Sequence, residues 1–244
     1  MDPKPHPALT LPAAIIVAGA LIAISIIWVK KPVSVPATTS GQPTIAEISM
    51  APITSADHIL GNPEAQITIV EYSDPSCPYC KMFHPTMKKV IDEYGPTGKV
   101  AWVYRSFPLD KADSQGRILH PNAGTQAQAQ ECAAALGGNN AFWKYTDRLY
   151  EVVQSDQGIT LENSELPVIA KYAGLDTINF NECLSSGRFK DKVEKSYLDG
   201  INAGVSGTPY SVIITPSGSK IPLVGAQSYA TLKQTIEALL TDSK

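Results

Sequence analysis

QITIVEYSDPSCPYC, residues 66–80, passes from a β-branched apolar run through a turn into a proline-started segment with two cysteines three positions apart. The run 66–72 is rich in Ile, Thr and Val and reads as a buried strand. After Ser73-Asp74-Pro75-Ser76 a helical pattern starts near Pro78 and continues to about Tyr94, where Gly95-Pro96 stops it. Residues 100–107 (VAWVYRSF) form a second strand, so strand, helix and parallel strand make a βαβ unit.

Beyond it, residues 109–202 carry no strand signal. Residues 124–136 read as a Gln/Ala-rich helix stopped by Gly137-Gly138, and 140–153 as a second, with Phe142, Tyr145, Leu149 and Val152–Val153 at near-helical spacing. Further helices are expected at 165–173, 177–185 and 189–203. Residues 210–215 (YSVIIT) and 220–224 flank the turn Pro216-Ser217-Gly218-Ser219 as a hairpin, and 229–240 closes as an amphipathic helix. The order is βαβ, a helical block, then ββα, with no internal repeat.

Cys77-Pro78-Tyr79-Cys80 matters for its position more than its spacing. It puts Cys77 at the cap of the first helix and Pro78 at the first helical residue, where a missing N–H costs nothing. A thiolate at Cys77 faces the free amides of the first turn and the positive end of the helix dipole. The thiolate is the form that attacks disulfides. Lys81, His84, Lys88 and Lys89 add positive charge on the following turns, and Cys80 is placed to resolve a mixed disulfide on Cys77. Two other uses compete: a short-loop structural disulfide, which stabilises little, and a metal site on Cys77, Cys80 and His84, which lacks a clear fourth ligand. Gly207-Thr208-Pro209 precedes a strand. A cis Thr208–Pro209 bond there would bring the loop beside Cys77 and leave backbone groups to pair with an extended substrate.

These segments resemble the DsbA-like branch of the thioredoxin superfamily, over residues 57–240. The carriers are IVEYSDPSCPYC at 69–80, SFPLD at 106–110, ECAAALGG at 131–138 with Phe142-Trp143, and GVSGTPYSVI at 204–213. The resemblance implies an α/β thioredoxin fold with an inserted all-helical subdomain, at about residues 110–202 here, that exchanges disulfides with exported proteins. It makes Cys77 the attacking cysteine, Cys80 its resolving partner and Pro209 the cis-proline, with Pro78, Tyr79 and Thr208 meeting the substrate. It also implies reoxidation by a membrane partner of the DsbB or VKOR type, and no organic cofactor or metal. The Pro-Tyr dipeptide differs from the Pro-His of the best-known oxidases, so a reductase or isomerase on the same residues, or a non-enzymatic metallochaperone, stays as an alternative.

The resemblance places an acidic residue beneath the site to move the proton of the resolving thiol, and Glu71, six positions before Cys77, fits it. The opposing strand offers only Arg105 as its partner; the competing reading is an outward-facing, lysine-paired Glu71. Cys132 and Cys183 are either free buried cysteines or, as an even count in an exported domain favours once Cys77 and Cys80 are paired, a second bridge across the helical block. His84 is expected to pack or lie along the helix surface. His120-Pro121 reads as a helix start, with a substrate-facing role the lesser alternative, and Phe142, Trp143 and Tyr145 as core or groove lining.

The 244 residues are 43% hydrophobic and 18% charged, with a net charge of −3, which leaves no positive field to gather nucleic acid. Gly 17, Pro 19 and Cys 4 exclude collagen, low-complexity disorder and a disulfide-dense mini-protein. No Walker loop, HExxH, GxSxG or N-glycosylation sequon occurs. Residues 1–10 form a polar tail. Residues 11–30 read as a transmembrane anchor, because from Leu11 to Val29 no charge appears over about 28 Å of helix, with Trp28 and Lys30-Lys31 at the interface. A cleaved signal peptide is the competing reading. Residues 31–54, broken by four prolines, are a semi-extended linker to a folded domain at 55–244. One lysine before the anchor against two after it slightly favours a cytoplasmic domain, whereas the cysteines point outside; an extracytoplasmic domain is the expectation.

Overall fold

A computed structural model describes residues 48–153 and 161–241. The expected tail, anchor and most of the linker lie outside the described residues. Among the described residues no helix is long and apolar enough to cross a membrane.

The chain runs β1 (His58–Leu60), β2 (Ile67–Ser73), α1 (Pro78–Tyr94), β3 (Val100–Ser106), α2 (Ala123–Val152), α3 (Leu166–Tyr172), α4 (Thr177–Ser185), α5 (Lys190–Asn202), β4 (Tyr210–Ile214), β5 (Lys220–Val224) and α6 (Tyr229–Thr241). One sheet has the order β1-β3-β2-β4-β5, with β2 parallel to β3 and the other pairs antiparallel. This is a thioredoxin-like α/β fold with a helical insertion between β3 and β4. The sequence reading missed β1, whose three residues are too few to show a period of two. It saw α2 as two helices, and the break is real: Gly138 has φ 72° and ψ −171°, outside the helical region and open to glycine.

Alternation along the central strands builds two cores. Ile67 and Ile69 of β2, with Val100, Trp102 and Tyr104 of β3, face α1, α6 and the insertion. Val70 and Tyr72, with Val103 and Phe107, face the other side and pack with Ala203, Val205, Tyr210 and Val212. On α1, Cys80, Phe83, His84, Met87, Val90, Ile91 and Tyr94 recur at three- and four-residue steps as the buried stripe. Helix α5 meets the second face through Gly200, where an added Cβ would lie 2.4 Å from the Phe107 ring. The insertion is stapled by a Cys132–Cys183 disulfide between α2 and α4, with Cα atoms 5.9 Å apart.

Candidate active site

Strand β2 delivers the chain to the sheet end, the turn 74–76 reverses it, and α1 starts at Pro78 with Cys77 as its cap, φ −76° and ψ 125°. The loop before β4 arrives beside it. Its Thr208–Pro209 bond is cis, and the Cys77 thiol donates to the Thr208 carbonyl at 3.4 Å. The Pro209 carbonyl is already taken by the Gly225 amide at 3.0 Å, so the Thr208 carbonyl, once released by the thiol, is the acceptor this loop can offer an extended chain. Tyr79 (60% exposed) and Met82 stand outward on the first turns of α1, open to a partner.

Cys77 and Cys80 are both free thiols, and their environments push them apart. The Cys77 thiol is lowered to about 6, first by a hydrogen bond from the Cys80 thiol, against opposing burial, then by the Thr208 side chain and the Cys80 backbone N–H; the Asp74 carboxylate raises it. Burial first, then its role as donor to Cys77, holds the Cys80 thiol well above its ordinary value. The support for the anion therefore differs in weight from the sequence reading. Cys77 makes no side-chain capping bond, and the neighbouring thiol outweighs the first-turn amides. The basic residues of α1 also serve elsewhere. Lys81 donates to the Glu151 and Val153 carbonyls, Lys88 pairs with Asp147 at 3.0 Å, and Lys89 sits over the Tyr229 ring.

The period of two in β2 sets Glu71 and Ser73 on the same face as Ile67 and Ile69, beneath α1. Glu71 is 1% exposed and pushed up to about 7, chiefly by burial and against the Ser73 hydroxyl. Ser73 Oγ donates to Glu71 Oε1 at 2.6 Å and lies 3.0 Å from the Tyr150 hydroxyl, which lies 3.1 Å from that of Tyr104. Among the described residues Glu71 Oε2 has no hydrogen-bond partner. Arg105 is not its counter-ion. Opposite Glu71 in the register stands Tyr104, and Arg105, one step on, points to the other face, where it meets Asp57 at 2.9 Å and Asp199 at 2.7 Å.

Asp74, wholly buried, ties the turn together. Its Oδ1 accepts from the Ser76 amide at 2.7 Å, and its Oδ2 accepts from the Leu109 amide at 2.7 Å and meets His120 Nδ1 at 2.8 Å. Its backbone N–H points to Cys80 Sγ at 3.4 Å, and its carbonyl accepts from the Cys77 amide at 3.1 Å. Sequence reasoning passed over Asp74, Ser73 and Tyr150. The only local signal was the Asp-Pro-Ser turn, because Tyr150 is 70 positions from Cys80 in sequence. His84 is buried rather than lying along the surface. Its place in the apolar stripe of α1 turns it inward against Trp102 and Tyr150, with Nε2 2.7 Å from Asp147 of α2. Thus turned, it lies in a different set of contacts from Cys77 and Cys80, and among the described residues no three His, Cys, Asp or Glu side chains gather as a metal site. Phe142, Trp143 and Tyr145 are core residues.

A family model described as thioredoxin matches residues 54–238. The chain therefore belongs to the thioredoxin family, and its fold with the helical insertion is that of the DsbA-like oxidoreductases. Pseudomonas aeruginosa DsbA2 superposes with a TM-score of 0.58 at 27% identity, covering 78% of this chain and 97% of that one. BdbD from Bacillus subtilis gives 0.66 at 22% identity, covering 80% and 98%. Among curated proteins, the chain is 33% identical over 153 residues to the Na(+)/H(+) antiporter NhaA 3 of Salinispora tropica, 63% of this chain and 21% of the antiporter. It is 28% identical over 148 residues to a provisionally named protein-disulfide oxidoreductase of Rickettsia bellii, 60% of this chain and 50% of the relative. The chain thus spans between a fifth and a half of the length of these curated relatives.

Proposed function

We propose that this protein is a thiol:disulfide oxidoreductase that works as an oxidase on exported proteins. The observation that carries the reading is the unequal cysteine pair beside the cis-proline loop: Cys77 favours its anion while Cys80 keeps its proton. A folded state that stabilises the Cys77 thiolate stabilises the reduced enzyme, which makes its disulfide a stronger oxidant. In that direction a substrate thiolate attacks Cys77 Sγ, the Cys77–Cys80 bond breaks, and Cys80 leaves as a thiolate that takes a proton. Glu71 is the acid for that proton, because its carboxyl is still partly protonated near pH 7. A second substrate thiolate then attacks the substrate sulfur of the mixed disulfide and releases Cys77 as a thiolate. One substrate disulfide is formed for each enzyme disulfide reduced.

The Cys132–Cys183 bridge supports an oxidising compartment, with residues 11–30 as the tether and a membrane partner of the DsbB or VKOR type returning the pair to its disulfide. The test is equilibration of Cys77–Cys80 with glutathione, read by thiol trapping. A potential well above the about −270 mV of thioredoxin is expected. A value at or below that level would replace the oxidase by a reductase on the same residues.

A further inference from the structure

The function above uses the cysteines, the proline loop and Glu71, and leaves unexplained why a carboxylate is buried at the turn that carries them. Asp74 ties the turn together, since its side chain accepts from two backbone amides and its main chain meets both cysteines. Its charge is nevertheless of the wrong sign for an anionic Cys77, and repulsion between like charges in a buried site is weakly screened. His120 stands on the other side of that carboxylate. Its Nδ1 lies 2.8 Å from Asp74 Oδ2, its side chain is about one-fifth exposed, and its backbone N–H is pinned to the Leu109 carbonyl at 3.0 Å. Asp74 first, and Cys77 after it, hold the imidazole above its ordinary value against partial burial. Among the described residues, Cys80 on α1 and Glu71 on β2 also interact with Cys77; Cys80 supports its anion as a thiol donor, and neither brings a positive charge.

We infer that His120 is a positioning residue of the redox site: its imidazolium, seated on the buried Asp74 carboxylate, offsets that carboxylate's repulsion of the Cys77 anion. The inference rests on the thiol–disulfide reading and assigns the site's positive charge to a residue 40 and 43 positions from the two cysteines in sequence. Asp74 shapes the turn and His120 cancels the electrostatic penalty.

The test compares His120→Gln, which can still donate a hydrogen bond to Asp74 but carries no charge, with Asp74→Asn and the double variant. The rate of Cys77 alkylation against pH reports its thiolate directly. His120→Gln is expected to leave about tenfold less thiolate at low pH, a shift of about one pKa unit, and to make the pair less oxidising against glutathione by a similar factor. In the Asp74→Asn background the effect of His120→Gln should fall to less than half. An unmoved Cys77 titration in folded His120→Gln overturns the inference, and so does an equal shift with and without the Asp74 carboxylate. Should the variants not fold, NMR titration of the His120 ring in the unsubstituted protein decides, because the coupling is reciprocal. A higher pKa in the reduced than in the oxidised protein is expected, and equal values overturn the idea. A protein that exchanges no disulfide with glutathione defeats the functional reading instead, in a separate assay.

Discussion

In the folded protein the Glu71 carboxyl holds its proton to about pH 7, whereas an ordinary glutamate loses it near 4.5. Below the lower value folded and unfolded chains are both protonated. Between the two values the folded chain binds the extra proton, so stability falls as pH rises, by about 3 kcal/mol in all, and the loss is complete above the upper value. Glu71→Gln removes this dependence. Urea unfolding of both proteins in one redox state should show the variant gaining about 3 kcal/mol on the parent between pH 4.5 and pH 8; parallel pH profiles would refute the buried-acid assignment. The cysteines yield a second prediction. Cys80→Ser, incubated with oxidised glutathione, should accumulate a stable adduct on Cys77 by mass spectrometry, because the resolving thiol is gone. Cys77→Ser should accumulate little, since the remaining thiol holds its proton. The cysteines and Pro209 were legible from sequence because each stands in a local pattern whose geometry is restricted. The Tyr150 and His120 contacts were not, because a hydrogen bond across more than forty positions leaves no mark on either segment.

Elements were read best where the chain is strongly periodic. Strand β2, helix α1 and strand β3 follow from the 66–107 pattern within a residue or two, since alternation and three-to-four spacing are each satisfied by a core on the expected side. Arg105 shows where that reading stops. A strand residue's face is set by alternation, but which of two cores that face meets depends on what packs there, and here α5 and residues 51–57 supply its carboxylate and carbonyl partners. The same α5 contact makes a stability prediction. Gly200→Ala drives a methyl into Phe107 and Tyr72, with contacts of 2.4 and 3.0 Å, and should cost about 1–3 kcal/mol by chemical denaturation. A neutral result would mean that the helix can lift from the sheet without loss.

For the molecule as a whole, the insertion packs against the first core, and the Cys132–Cys183 bond ties its own helices α2 and α4 together. That bond closes a loop with a sequence separation of 51, which on the chain-entropy estimate contributes about 4 kcal/mol. Cys132→Ser with Cys183→Ser should lose stability of that order by denaturant unfolding while Cys77 keeps its alkylation rate at pH 6. An equal fall in alkylation rate would show that the bridge holds the active turn as well. Phe180, close to Cys183 in α4, stacks on Tyr145 of α2, so packing as well as the bond joins the two helices.

The amino-acid sequence alone determined the βαβ start, the helical block, the closing hairpin and helix, and the placing of a cysteine pair at a helix start. These depend on local periodicity and on residues with few allowed conformations. Only the tertiary structure decided which charges reach the site. The lysines of α1 turn to other partners, Arg105 belongs to the opposite face, and the carboxylate of Asp74 meets His120 from a loop beyond β3. Electrostatic energy depends on distance through space and on the burial of each group, neither of which is carried by order along the chain.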